Sequence, residues 1–222
     1  MIPLRDKLRS KRIPIITITL ILFNIYVFIK EILSGPGLGT VIDKYALVPA
    51  HFLSLDAVTL SNLITKSISL FSSLFLHAGW LHLIGNMWYL WIFGDNVEYR
   101  FGHFRYLFFY ISCGIIGNLT HVIMNVNSTM PTMGASGCIA GVLGAYFLFS
   151  PKAKIVTVLP IFVFWTIADV PAFFFLGIWF LIQFLSGNYY ISGAHASIAW
   201  WAHIGGFIGG AVLKMLFTKN RG

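Results

Sequence analysis

The chain has 222 residues, of which 58% are hydrophobic and only 10% are charged, and its formal net charge is +8. A soluble domain carries about 25% charged residues, so this composition excludes an ordinary soluble protein and indicates an integral membrane protein. The basic residues flank the apolar segments instead of forming one patch, which argues against a nucleic-acid partner and for the lipid bilayer.

Six apolar segments are predicted to cross the membrane, because a helix of about 20 residues spans the hydrocarbon and a sheltered one needs fewer. In chain order they are Ile13–Ile29, Leu81–Phe93, Leu107–Ile123, Ser136–Phe149, Ala172–Leu185 and Ala196–Phe217. We therefore expect an all-α fold, a polytopic bundle of six transmembrane helices forming a single domain over residues 1–222. A further apolar stretch, Ile155–Trp165, is interrupted by Pro160. It is interpreted as the approach to the fifth helix, and a seventh membrane-embedded segment stays open.

Charge predicts the orientation of these segments. Twelve of the fifteen basic residues fall in a short leader (residues 1–12), in the second and fourth connections or at the end of the chain, whereas three (Lys30, Lys44 and Lys66) fall on the opposite side. By the positive-inside rule, both termini are predicted to lie in the cytoplasm. The protein is expected in the cell (inner) membrane. The first outer segment, Ser34–Leu76, is the longest non-helical stretch, and its apolar content predicts that it lies partly in the membrane interface.

Ser136 opens the fourth apolar segment, within Gly134-Ala-Ser-Gly137. The fourteen residues Ser136–Phe149 form a helix of about 21 Å, shorter than the hydrocarbon of about 30 Å. If this helix ends at the inner surface, Ser136 lies on the order of 10 Å below the outer one, at a helix N-terminus that borders a water-filled cavity. On this segment alone, close packing of the glycines with Ser136 as an N-cap is the better-supported interpretation.

His203 is the candidate base for a serine nucleophile. Gly206 and Gly210 follow it three and seven residues later, on the same helical face, so the last helix can approach the glycine-rich helix of Ser136 closely. Both helices are expected to run from outside to inside, which brings His203 to a depth similar to that of Ser136. The seven acidic residues are all assigned to loops or helix ends. We therefore expect a Ser–His dyad whose imidazole is oriented by packing and water.

His82 and Asn86 lie one turn apart on the second segment. A histidine in a membrane helix is a functional candidate by default. Three donors are suited to stabilise the oxyanion of an acyl-transfer reaction: the imidazole N–H of His82, the side-chain amide of Asn86 and the backbone N–H of Ser136. A polar contact between helices is an equally good interpretation of Asn86 alone.

A metal site is the rival use of these histidines. The sequence lacks His-Glu-x-x-His or another ligand pair at helical spacing, and the two cysteines, Cys113 and Cys138, are interpreted as small buried hydrophobes. We therefore expect no metal, and no residue pattern indicates a cofactor.

Together these motifs resemble the rhomboid intramembrane serine proteases, in their compact six-helix bacterial form. In chain order the motifs are His77-x4-His82-x3-Asn86, Gly134-Ala-Ser136-Gly137 and Ala202-His203-x2-Gly206-x3-Gly210. Glu98 and Arg100 also fall where that family keeps a polar knot at the cytoplasmic end of the second helix. The resemblance covers roughly Leu74 to Phe217.

The resemblance implies a serine endopeptidase that hydrolyses peptide bonds in or near the transmembrane segments of other membrane proteins. It implies Ser136 as nucleophile, His203 as general base, and an oxyanion hole of His82, Asn86 and the Ser136 amide. Supporting positions are implied at His77, Gly134, Gly137, Gly206, Gly210, Glu98 and Arg100. The fifth helix and the loop after it would form a substrate gate. The Trp-Arg pair that many relatives carry in the first outer loop is missing from Ser34–Leu76.

Two other classes of function are compatible with a polytopic membrane protein. A non-catalytic relative of the same fold would lack the dyad, whereas both Ser136 and His203 are present. A transporter or channel would carry charged residues or paired broken helices at the midplane, and the sequence contains neither pattern.

Overall fold

The computed structural model describes residues 1–8, 12–54, 59–161, 164–191 and 198–217. Within these ranges the helices are α1 Ile15–Leu33, α2 Leu38–Tyr45, α3 Pro49–Leu53, α4 Leu60–Ser72, α5 Trp80–Phe101, α6 His103–Met124, α7 Ser136–Phe149, α8 Ala172–Ile191 and α9 Trp200–Phe217. The strands are β1 Ile2–Asp6, β2 Lys154–Ile161 and β3 Phe164–Pro171. Outside the described residues lie Arg9, Lys11, Lys219 and Arg221 of the charge prediction and residues 192–197, which include the end of the predicted gate loop.

Each of the six predicted segments corresponds to one of the longer helices. By length and composition, α1 and α6 are long and apolar enough to cross a bilayer. The helix α7 and the stretch Ala172–Asn188 of α8 are apolar but shorter. The six-span count, and with it the single domain over 1–222, therefore stays a prediction.

A three-stranded antiparallel sheet, in the order β1-β2-β3, makes the all-α prediction wrong in one part of the chain. The described part of the apolar stretch Ile155–Trp165 is not a further helix, since it lies in strands β2 and β3. It does lead to the fifth predicted helix, because β3 ends directly before α8. Its β-branched residues favour extended backbone, and Pro160 cannot occupy a helix interior. The remaining strand of the sheet, β1, comes from the leader, and its Ile2 pairs with Val158 of β2.

The leader strand β1 is also anchored to the helices. The indole N–H of Trp88 on α5 donates to the carbonyl of Pro3 at 2.7 Å. The carboxylate of Asp6 accepts from the amide of Asn96 at 2.9 Å and from the hydroxyl of Tyr146 at 2.7 Å. These contacts join β1 to α5 and α7, so the leader is a structural part of the fold.

The first outer segment, Ser34–Leu76, is not the non-helical stretch expected, because it contains α2, α3 and α4. Its helices carry exposed large apolar side chains, including Leu60, Leu63 and Phe71. Partial burial in the membrane interface stays a prediction for this segment.

The helix α7 lies at the centre of the bundle. All ten residues from Gly137 to Tyr146 are buried, as expected of a helix that is apolar on every side. Glycines on α7 and α9 allow the two helices to approach closely: a Cβ on Gly210 of α9 would come within 2.0 Å of the carbonyl oxygen of Gly141 on α7. This approach fixes the spacing of the two helices that carry Ser136 and His203.

Candidate active site

Ser136 and His203 lie next to each other, on different helices. Ser136 is the first residue of α7, and its Oγ lies 2.8 Å from Nε2 of His203 on α9. A Cβ on Gly206 would come within 2.1 Å of the Gly137 carbonyl oxygen, so the glycine there lets the helices approach. Gly137 itself faces Ala202 at an ordinary contact distance. A hydroxyl and an imidazole at this distance are arranged for proton transfer.

The loop before Ser136 is held from two sides. The backbone N–H of Gly134 donates to the carbonyl of Ser73 at 2.8 Å. Gly134 has φ of +132°, and a Cβ there would come within 2.7 Å of the His82 ring, so both the backbone and the neighbouring ring require glycine. Thr132 and Leu47 exchange two backbone hydrogen bonds, which ties this loop to the first outer segment.

His82 and Asn86 present hydrogen-bond donors beside the serine loop. Nδ1 of His82 accepts from the backbone N–H of Ala78 at 3.4 Å, so the neutral ring carries its proton on Nε2, which lies with Cε1 on the side of the ring that faces Gly134. Nδ2 of Asn86 is buried and has no hydrogen-bond partner among the described residues. A buried donor without a partner is costly, which favours a role in binding an acceptor.

His77 lies behind His82 and does not reach the serine. The two ring centroids are 5.2 Å apart, and the side chain of His77 is buried. Its backbone N–H donates to the carboxylate of Glu31 at 3.2 Å. Glu31 is not at a helix end, as the sequence predicts, but is buried within α1, and its contact with His77 is not predicted from the sequence. A carboxylate in an apolar helix could have identified Glu31, because a buried charge is costly unless hydrogen-bond donors or a cation compensate it.

His203 has a second partner, which the sequence motifs do not predict. Its Nδ1 lies 2.7 Å from Oε1 of Gln183 on α8, and the side chain of Gln183 is only 6% exposed. The expectation that packing and water alone orient this imidazole is therefore wrong. Gln183 is the single glutamine of the chain, in an otherwise apolar segment, and that isolation could have identified it.

A cavity of about 700 Å³ joins these groups. Ser136, His203, His82, Asn86 and Gln183 line it, and apolar and aromatic side chains form most of the rest of its wall. Further polar residues, among them Ser128, Thr132 and His121, also line it and were not predicted. Across the described ranges, no three His, Cys, Asp or Glu side chains are grouped as a metal site would require.

Glu98 and Arg100 lie apart from the cavity, near the C-terminus of α5. The carboxylate of Glu98 accepts from the backbone N–H groups of Ile16 and Thr17 at 2.9 and 2.8 Å, and from the Thr17 hydroxyl at 2.7 Å. It thereby caps the N-terminus of α1. The Arg100 guanidinium packs over the ring of Phe149, 5.3 Å from its centroid. Both residues join helices and do not contact the Ser136–His203 pair.

The family model of the rhomboid domain matches residues 65–220, which is well over half of the chain. The chain belongs to the rhomboid family. The family named from the sequence motifs is thereby confirmed. Since this family is membrane-embedded and multi-pass, the prediction of a polytopic membrane protein is confirmed as well.

Curated relatives of this rhomboid chain come from fungi and bacteria, among other sources. Rhomboid protein 1, mitochondrial, of Saccharomyces cerevisiae is 29% identical over 178 residues, covering 76% of this chain and 47% of the relative. Putative rhomboid protease YdcA of Bacillus subtilis is 34% identical over 116 residues, 50% of this chain and 57% of the relative. Rhomboid protease GluP of the same organism is 40% identical over 76 residues, 34% of this chain and 14% of the relative. This rhomboid chain thus spans about half, or less, of the length of these relatives.

Proposed function

We propose that this rhomboid chain is an intramembrane serine protease in which Ser136 is the nucleophile and His203 the general base. The observation that carries the proposal is the 2.8 Å separation of Ser136 Oγ and His203 Nε2 at the wall of a cavity of about 700 Å³. The relatives YdcA and GluP, whose names include the word protease, support the same reaction.

In the proposed reaction, Oγ of Ser136 attacks the carbonyl carbon of the scissile peptide and its proton passes to Nε2 of His203. The tetrahedral intermediate collapses, the C–N bond breaks, and His203 gives the proton to the leaving amine. Ser136 is left as an acyl ester. Water then attacks the acyl carbon, giving its proton to His203, and the ester bond breaks as that proton returns to Oγ.

The negative charge of the intermediate requires donors on the carbonyl oxygen. We assign this role to Nε2–H of His82, the amide of Asn86 and the backbone N–H of Ser136. Nδ2 of Asn86, which has no hydrogen-bond partner in the part of the chain that the structure describes, supports the assignment, and so does the proton position on His82 that follows from its bond to Ala78. His77 and Gly134 would hold His82 in place through ring contact and close backbone approach.

The substrates are proposed to be transmembrane proteins, cut in or near their membrane segments, in a cell (inner) membrane. We assign the six spans to α1, α5, α6, α7, α8 and α9, with both termini in the cytoplasm. The apolar helices and the basic residues flanking them support this topology. As proposed, peptide-bond hydrolysis by this dyad needs a water molecule and the protein groups named above, and no metal or cofactor.

The test is cleavage of a single-span model substrate by the purified protein in liposomes. Ser136→Ala and His203→Ala are each expected to lower kcat at least about 10³-fold, because the dyad acts as a unit. A fluorophosphonate probe should label the wild type and leave Ser136→Ala unlabelled. Retained cleavage by Ser136→Ala would refute the proposal.

Two matched controls separate chemistry from disturbance of the cavity. Ser128 lines the same cavity, but its hydroxyl accepts from the backbone N–H of Met130. Ser128→Ala should therefore remain labelled and retain most of its activity. His121 also lines the cavity, and His121→Asn should lose far less activity than His203→Ala. A metal chelator should leave the wild-type rate unchanged.

A further inference from the structure

The imidazole of His203 is bonded through both ring nitrogens. Nε2 faces the Ser136 hydroxyl at 2.8 Å, and Nδ1 faces Oε1 of Gln183 at 2.7 Å. A carboxamide oxygen can only accept a hydrogen bond, so Nδ1 must carry the ring proton. In the neutral ring this leaves the lone pair of Nε2 directed at the serine, which is the form that a general base requires.

We propose that Gln183 is the positioning residue that selects this tautomer of His203 and stabilises the imidazolium formed during acyl transfer. The inference rests on the proposed function and adds a third member to its dyad. Gln183 acts through His203 and is not expected to touch the scissile bond.

A neutral amide suits this site better than a carboxylate would. The side chain of Gln183 is 6% exposed, in a helix whose neighbouring residues are apolar. A buried carboxylate would require compensation for its lost hydration, whereas an amide is far less costly to bury. The amide dipole still favours positive charge on the adjacent ring, although less strongly than a full negative charge would.

Because Gln183 lies on α8, the tautomer of His203 depends on the position of α8. Gln183 and Trp179 both project from α8 toward α9, where the Trp179 ring centroid lies 6.1 Å from that of His203. Phe180 packs against Phe207 of α9 with centroids 4.8 Å apart. A shift of α8 away from α9 would separate Oε1 from Nδ1 and leave the tautomer unselected. The packing of α8 against α9 therefore decides whether His203 is in the tautomer that can accept the proton of Ser136.

The first test uses two variants in the liposome assay. Gln183→Met keeps the side-chain volume and removes the acceptor, and it should lower kcat on the order of 10²-fold with KM little changed. Gln183→Glu keeps an acceptor oxygen and adds charge, which stabilises the imidazolium. Its kcat/KM profile should therefore have an acidic limb displaced to higher pH, with activity above that of Gln183→Met. Unchanged kcat in Gln183→Met, or an undisplaced limb in Gln183→Glu, would overturn the proposal.

A matched control removes another buried amide. Asn24 on α1 is buried, and its amide donates to the carbonyl of Leu20 within its own helix. Asn24→Leu should lower thermal stability but leave the pH profile at its wild-type position. A displaced profile in Asn24→Leu would mean that the pH effect reports general destabilisation, and the proposal would fail.

The second test does not depend on proteolysis. Histidine labelled with ¹⁵N is incorporated into Ser136→Ala, and the signals of His203 are identified by their loss in Ser136→Ala/His203→Ala. The neutral ring should show its proton on Nδ1 in Ser136→Ala and a mixture of tautomers after Gln183→Met is added. An Nδ1 proton that persists without Gln183 would refute the positioning role. If Ser136→Ala instead retains cleavage, the proposed function is refuted, but the NMR measurement still tests whether Gln183 selects the tautomer of His203.

Discussion

Gly206 on α9 lies so close to Gly137 on α7 that a Cβ on Gly206 would come within 2.1 Å of the Gly137 carbonyl oxygen. Backbone cannot move aside as a flexible side chain can, so Gly206→Ala must separate the helices. We expect a loss of about 1–3 kcal/mol or more in the free energy of unfolding and a strong loss of cleavage. Thermal unfolding in detergent and the liposome assay measure the two effects.

The reciprocal position provides the control. A Cβ on Gly137 would meet its nearest neighbour, the Ala202 carbonyl oxygen, at 3.5 Å, an ordinary contact. Gly137→Ala should therefore retain most of the wild-type stability, since alanine also favours helix. Equal losses in Gly137→Ala and Gly206→Ala would contradict this account of how α7 and α9 pack.

Removal of the buried amide of Asn86 tests the proposed oxyanion hole. Asn86→Ala should lower kcat by about 10²–10³-fold with little effect on KM, because the donor acts on charge that develops only during the reaction. Asn96→Ala on the same helix removes an amide bonded to Asp6, away from the cavity, and should retain kcat. A kcat near the wild-type value in Asn86→Ala would remove Asn86 from the proposed site.

Glu98 is expected to matter for stability and not for chemistry. Its side chain is 1% exposed and accepts hydrogen bonds from Ile16 and Thr17 at the start of α1. Hydrogen bonds to a charged group are worth about 1.5–3 kcal/mol, so Glu98→Ala should lower the free energy of unfolding by at least about 2 kcal/mol. Glu98→Gln, which keeps an acceptor, should lose less. Identical unfolding curves for Glu98→Ala and the wild type would refute the capping role.

Docking of β1 should weaken as pH rises. Burial, with a smaller contribution from the nearby Asp95, raises the pKa of Asp6 from its ordinary value of 3.8 to about 7, and the hydrogen bonds from Tyr146 and from the backbone of Leu8 only partly offset this. Between these two values the docked carboxyl binds a proton that the undocked one lacks. The contribution of that proton is therefore complete below pH 3.8 and is lost as pH rises through about 7.

Hydrogen exchange of the β1 amides measures this dependence, expressed as protection relative to an unstructured peptide at each pH. Protection should fall across the stated range in the wild type. Asp6→Asn cannot ionise but keeps an oxygen for Tyr146 and Asn96, so its protection should stay level. A wild-type protection that is constant or rises with pH would contradict the assignment.

The spacing of residues close together in the chain predicted which side chains share a helix face. His82 and Asn86 share a face because they are four residues apart, and Gly206 and Gly210 share the face of His203 for the same reason. The identity of the family follows from the order of these motifs, and the apolar segment that begins at Ser136 predicted a helix that starts there. Such features depend on residues within a few turns of one another, which a sequence displays directly.

Contacts between distant parts of the chain were decided only by the tertiary structure. Pairing of Ile2 with Val158 makes a strand of a basic leader, and packing of α8 on α9 brings Gln183 to His203. The burial of Glu31 beside His77 is of the same kind. Helical periodicity states which residues share a face but not which helix that face meets, because the partner is chosen by the free energy of packing the whole bundle. For that reason the serine and histidine could be named from their motifs, whereas the glutamine that orients the histidine could not.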